Sequence, residues 1–260
     1  MKKEESRFAK STLFEGMVSL RALIEATGSG ASDRRIITLY YDRARAEKES
    51  KELAWLRHRG EEMGFAIELT DRAVLDDMAI GSSHGGVIAA CTERTLPPLS
   101  ADVLSGKGVL FLLDGVEDPY NFGYALRSLY AMGVDGIILG ERNWMSAAGV
   151  VCRASAGASE RMPLYLAQTE EAIDLLHGAG YTVAAADLRS AVPCDKADLK
   201  PPLAVLVGGE KRGIASRVLD KCDVRICIDY GREFPQSLSA ASAATILGYE
   251  ILRQKRAKNA

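Results

Sequence analysis

Residues 109–127, VLFLLDGVEDPYNFGYALR, constrain the fold more than any other part of this chain. The opening run Val109-Leu110-Phe111-Leu112-Leu113 is apolar at every position. A strand built from it can expose neither face to water, which is the pattern of a central strand in a parallel sheet. Asp114, Gly115, Asp118, Pro119, Asn121 and Gly123 follow within about ten residues, which is loop chemistry, and a helical run starts at Tyr124. Asn121 is placed to cap that helix, and Arg127 lies one turn further on. A buried strand ending in a polar loop that feeds a helix is where open α/β sheets bind ligands. The residues alone therefore predict a ligand loop after a parallel strand.

The same alternation runs through the rest of the chain. Strands are expected at 109–113, 136–139, about 161–165, 181–186, 203–207 and 224–228, with helices near 122–132, 146–152, 169–178 and 237–254. Upstream, the pattern predicts helix 14–26, strand 36–41, helix 43–60, strand 64–69, helix 71–78 and strand 86–91, a small α/β sandwich. Two adjacent prolines, Pro97 and Pro98, resist both helix and central strand, so the linker is placed at 95–100. Two domains follow, 1–100 and 101–260. The fold class is α/β in both, with a parallel sheet in the second. The polar residues 1–10 read as a frayed lead-in.

Composition excludes several classes. No apolar run approaches the roughly 20 residues that span a bilayer, and the start MKKEESRFAK has no apolar core after it, so neither membrane insertion nor secretion is expected. The five cysteines form no CxxC pair and the three histidines are scattered, so no metal site is expected and the thiols suit the cytoplasm. Gly106-Lys107 is followed by Gly108 rather than Ser or Thr, so it is not a P-loop. The loop after 109–113 lacks G-x-G-x-x-G, so it is not a dinucleotide fingerprint. The formal net charge of −2 leaves no global basic field, and residues 1–100 hold 15 Lys plus Arg against 16 Asp plus Glu. Nucleic-acid contacts would need local patches; candidates are Arg34-Arg35, Arg57-His58-Arg59 and the tail with Arg253, Lys255, Arg256 and Lys258. The loop residue His84 is a further candidate contact.

Four segments in order then carry a resemblance. Asn121-Phe122-Gly123 with Arg127 matches N-x-G-x-x-x-R, and Gly208-Gly209-Glu210-Lys211-Arg212-Gly213 matches G-x-E-x-x-G. Ser237-Leu238-Ser239 stands where S-L-N is usual, and RASAGA at 153–158 lies between. Together they resemble the SpoU/TrmH family of RNA 2′-O-methyltransferases, of the SPOUT class. The first hundred residues, with the loop His84-Gly85-Gly86-Val87, resemble the ribosomal-protein-like RNA-binding domain that precedes many family members.

The resemblance implies a trefoil-knotted domain that binds S-adenosylmethionine and methylates a ribose 2′-hydroxyl of structured RNA. Ribosomal RNA is the expected target ahead of tRNA, with no role for DNA. Gly208, Gly209 and Glu210 would wall the cofactor pocket, with Ile228, Leu238 and Leu188 as its apolar contacts. Glycines there let a ligand approach the backbone. Arg127 would clamp the target phosphate and take part in activating the hydroxyl; a guanidinium is a better clamp than base. Asn121 would orient neighbouring groups, and Ser237 would cap the last helix and meet the substrate. Relatives dimerise through the last helix and the motif-one helix, so a homodimer is implied, with Arg127 serving the partner's site. Two departures leave a second reading open. Ile228-Asp229-Tyr230 replaces the family's I-P-M, and Ser239 replaces Asn. An RNA-binding protein of the same fold without turnover is the alternative from another class.

Overall fold

The computed structural model describes residues 12–48, 50–81, 84–140 and 147–257. The polar lead-in, the start of the expected helix at 146 and Lys258 of the tail lie outside them. The chain forms two compact units: Met1–Thr95 with Asn143–Arg161, and Leu96–Arg142 with Met162–Ala260. The division therefore differs from a single boundary at residue 100, because a segment inside the expected second domain packs with the first unit.

In the first unit, β1 (Leu13–Glu15), α1 (Gly16–Gly28), β2 (Ile36–Asp42), α2 (Arg43–Ala46), α3 (Lys51–Met63), β3 (Ala66–Thr70), α4 (Arg72–Met78) and β4 (Val87–Cys91) run in order. The sheet order is β1-β4-β2-β3, with β2 and β3 parallel and β4 antiparallel to both β1 and β2. Successive residues of a strand face opposite sides. Leu39, Tyr41, Val87 and Ala89 accordingly join the core under α1 and α3, while Tyr40, Ile88 and Ala90 pack with Leu75 of α4. This is the expected sandwich with one extra strand, β1, too short for periodicity to separate from the helix that follows. The helix expected at 43–60 is two helices, because Ser50 accepts a hydrogen bond from the Leu53 amide at 3.2 Å and caps a new start.

From the second unit, α5 (Ala101–Leu104), β5 (Val109–Asp114), α6 (Pro119–Ala131) and β6 (Gly136–Leu139) come next. The chain then contributes α7 (Ala148–Ala154) and α8 (Ala158–Arg161) to the first unit. Arg34 and Glu160, both buried, meet there at 3.1 Å, and the Arg34 guanidinium lies 4.7 Å over the Phe14 ring and donates to the Thr92 carbonyl. Arg153 reaches Glu15 at 2.9 Å. Breaking such a buried pair on one side costs about 3–5 kcal/mol, so it fixes where this segment sits. Gly157 has φ +85°, and a Cβ there would collide with the Ala22 methyl of α1. RASAGA is thus explained by packing: an ion-paired arginine, a helix end and a close-approach glycine. The second half of the expected strand at 161–165 survives as β7.

The chain closes with β7 (Leu164–Leu166), α9 (Thr169–Gly178), β8 (Thr182–Ala186), β9 (Val192–Pro193), β10 (Leu203–Gly208), α10 (Ser216–Leu219), β11 (Val224–Cys227) and α11 (Ala240–Ala257). Seven strands in the order β7-β6-β5-β10-β8-β11-β9 form one sheet, parallel throughout. The apolar run at 109–113 is its interior strand β5, with β6 and β10 on either side, buried as its composition requires. Leu110, Leu112, Ala204 and Leu206 pack under α9 with Ile173 and Leu176. On α11, Gly248 faces Leu129 of α6 so closely that a Cβ would come within 3.0 Å of its side chain. Gln254 of α11 accepts from the Leu199 amide and donates to the Cys194 and Ala197 carbonyls, tying 194–199 to the helix. Among the described residues no helix is long and apolar enough to cross a membrane.

Candidate active site

Parallel pairing of β5 with β10 sets Asp114 opposite Gly208, so the loops carrying the first two motifs leave the sheet side by side. The Gly209 amide donates to the Asp114 carbonyl at 2.6 Å, and the Gly213 amide turns back to the Gly209 carbonyl at 2.9 Å. A Cβ on Gly209 would collide with the Gly115 carbonyl oxygen, and one on Gly208 would sit 2.7 Å from the Gly213 carbonyl carbon. Those two glycines are required by the closeness of backbone to backbone, a different reason from the ligand approach expected from sequence. Glu210 projects from this turn and accepts a 2.8 Å hydrogen bond from the Asn121 side-chain amide. Two residues 89 positions apart are thereby joined.

Around the C-terminal ends of β8, β10 and β11 lies a cavity of about 450 Å³. Leu188, Gly208, Gly209, Glu210, Ile228, Ser237 and Leu238 all line it. Sequence reasoning drew these from three separate loops. It missed Tyr230, Cys227, Arg189 and Arg212, which also line the cavity. Tyr230 uses its hydroxyl to accept the Leu238 amide at 3.2 Å. Burial first, and the Asp229 carboxylate second, raise the Cys227 thiol above its ordinary pKa. It stays protonated at neutral pH and is a poor nucleophile.

Two capping assignments change. Asp118, not Asn121, caps α6: its carboxylate accepts the Asn121 amide at 2.9 Å and Pro119 occupies the first helical position. This frees the Asn121 side chain for Glu210. Ser239, not Ser237, caps α11, accepting the Ser242 amide at 3.1 Å. Asn and Ser are comparably good caps, so the substitution at Ser239 keeps the helix start. Ser237 is exposed on the cavity wall.

Asn121 does not line the large cavity. It borders an adjoining pocket of about 90 Å³ with Asp118 and Lys211, and Glu210 belongs to both. Arg127 lines neither. It is exposed on α6, and its side chain makes no hydrogen bond or ion pair with the described residues. Tyr120 and Tyr124, both about half exposed, precede it at helical spacing on the same face. Of the basic candidates, Arg34 is buried against Glu160, Arg59 pairs with Glu62 beside Trp55, and Arg253 pairs with Glu250. His84 is buried, its Nδ1 accepting the Gly86 amide and its Nε2 meeting Asp76 at 2.8 Å. It shapes the loop and offers no contact surface.

Comparison with known proteins agrees with this geometry. The family model described as the SpoU rRNA methylase family matches residues 108–249. The chain is 31% identical over 253 residues to the 23S rRNA (guanosine-2′-O-)-methyltransferase RlmB of Shewanella oneidensis, covering 95% of this chain and 99% of that protein. Its fold is similar to the AdoMet-bound rRNA methyltransferase from Sinorhizobium meliloti, with TM-score 0.75 and 24% identity over 94% of this chain and 87% of the other. It also resembles the SpoU methyltransferase AviRb from Streptomyces viridochromogenes in complex with AdoMet, with TM-score 0.77 and 20% identity over 97% and 99%. The strand-end cavity, the Asn121–Glu210 link and a sequence match spanning both units thus converge, and the chain belongs to the SpoU rRNA methylase family.

Proposed function

We propose that this protein transfers the methyl group of S-adenosylmethionine to a ribose 2′-hydroxyl of ribosomal RNA. One observation carries the reading: seven of the nine residues that the family resemblance assigns to cofactor and substrate, scattered over 51 positions from Leu188 to Leu238, line one cavity. Its volume lies within the range of about 300–1,000 Å³ typical of small-molecule sites. The lining chemistry suits the cofactor. Ile214, Leu219 and Leu247 offer apolar cover, Asp187 and Glu210 suit positive groups, and Arg189 and Arg212 suit a carboxylate. When bound, the cofactor supplies a methyl already activated on a sulfonium, so the protein's task is alignment and removal of one proton.

Asn121 holds Glu210 at the junction of the two pockets, where the ribose would enter. Arg127 would grip the neighbouring phosphate. It is exposed outside its own chain's cavity together with Tyr120 and Tyr124, and on α11 Ile246 and Tyr249 are also exposed. Tyrosine and arginine on such a face are the usual composition of a protein interface. The proposal therefore includes a two-fold homodimer in which Arg127 serves the partner's cavity, and the knotted topology of the family. The similarity to RlmB supports ribosomal RNA over tRNA.

Isothermal calorimetry is expected to detect S-adenosylmethionine and S-adenosylhomocysteine at one site per chain. Absence of heat for both would overturn the assignment of the cavity.

A further inference from the structure

Beside the cavity, the loop 229–239 holds one large apolar side chain in water. Phe234 is 53% exposed. Its ring lies 6.3 Å from the Tyr230 ring at an interplanar angle of 49°. Tyr230 in turn lines the cavity and is fixed by the Leu238 amide. The exposed ring is therefore attached to the cavity wall through a single aromatic contact. Pro235 follows directly and biases the Phe234 backbone to extended conformations, which limits the freedom lost on binding.

We propose that Phe234 is the platform on which the base of the target nucleotide stacks, an assignment that rests on the methyl-transfer reading above. A ribose delivered to the cavity brings its base to the rim, and sequence-tolerant recognition of an unstacked RNA base is done by aromatic side chains. The charges of the loop favour a base over a backbone. Asp229 and Glu233 outnumber Arg232, so a phosphate is repelled where the uncharged face of a base is not. Arg127 and Phe234 thereby divide the nucleotide: phosphate to one, base to the other.

The test is steady-state methylation of large-subunit ribosomal RNA transcribed in vitro, by wild type, Phe234→Ala and Phe234→Trp. Calorimetry with S-adenosylmethionine and light scattering are run on each. Phe234→Ala is expected to raise KM for RNA by on the order of 10- to 100-fold, the loss associated with one base–aromatic stack. Cofactor affinity and molecular mass should hold, and Phe234→Trp should retain a low KM because a larger ring still stacks. An alanine variant with KM for RNA within about twofold of wild type would overturn the assignment. So would a parallel loss of cofactor affinity, which would make Phe234 a lid on the cofactor, or a changed mass, which would make it a subunit contact. Wild-type protein that methylates no RNA would overturn the underlying reading as well, so the two failures are distinguishable.

Discussion

Arg127→Ala is expected to lower methyl transfer by about 100-fold or more while leaving S-adenosylmethionine affinity within about twofold. A clamp on the target phosphate fixes the ribose against the cofactor, and misplacing a reacting group by about 1 Å costs on the order of 10² in rate. Arg127 lines neither pocket, so truncating it removes nothing from the cavity wall. Its exposed position with no ion pair among the described residues means the chain loses no buried partner either, and stability should change by less than about 0.5 kcal/mol. Initial rates at saturating cofactor, with calorimetry on the same preparation, check both halves. A variant that methylates at the wild-type rate would make Arg127 a surface residue. Arg127→Lys separates charge from geometry: a planar fork that clamps a phosphate bidentately is not replaced by an ammonium, so little activity should return.

Gly209→Ala should act on the other component. Its Cβ would meet the Gly115 carbonyl oxygen, a backbone atom that cannot rotate away, so the loops after β5 and β10 must separate. Overpacking of this kind costs about 1–3 kcal/mol. The separation displaces Glu210 from Asn121, and cofactor affinity is expected to fall by about tenfold or more, since roughly 1.4 kcal/mol of lost binding is a factor of ten. Calorimetry and urea unfolding read the two effects separately. Unchanged affinity with unchanged stability would show that the loops have slack at this point. In a two-fold dimer with shared sites, mixing this variant with Arg127→Ala should restore partial activity, because one cavity per mixed dimer meets an intact arginine.

Which features were legible in the sequence follows from their physics. The all-apolar run at 109–113 could be satisfied only by an interior parallel strand, and β5 is that strand. Periodicity likewise placed the long helices and the sandwich of the first unit. Elements of two to four residues, such as β1, β9 and α10, carry too few positions for any period to register. The packing of residues 147–161 with the first unit was hidden for a different reason. It depends on pairs such as Arg34–Glu160 and Arg153–Glu15, each more than 120 positions apart. At the site, the residue types and loops were legible, but the capping logic was not. Asp118 and Asn121 are both good caps three residues apart, as are Ser237 and Ser239 two apart. Only the path of the backbone decides between them. Tyr230 gave no signal, because a tyrosine at that position announces neither its bond to Leu238 nor its place on the wall.

The most direct test is the chemical position of the transferred methyl. The protein is incubated with S-adenosylmethionine labelled in its methyl group and ribosomal RNA transcribed in vitro, and the RNA is then hydrolysed in alkali. A 2′-O-methyl group blocks cleavage at its own phosphodiester, so label is expected in an alkali-resistant dinucleotide that yields a 2′-O-methylnucleoside on enzymatic digestion. Label released with a methylated base would contradict ribose chemistry, and RNA binding without label would identify a protein that keeps the fold and has lost turnover.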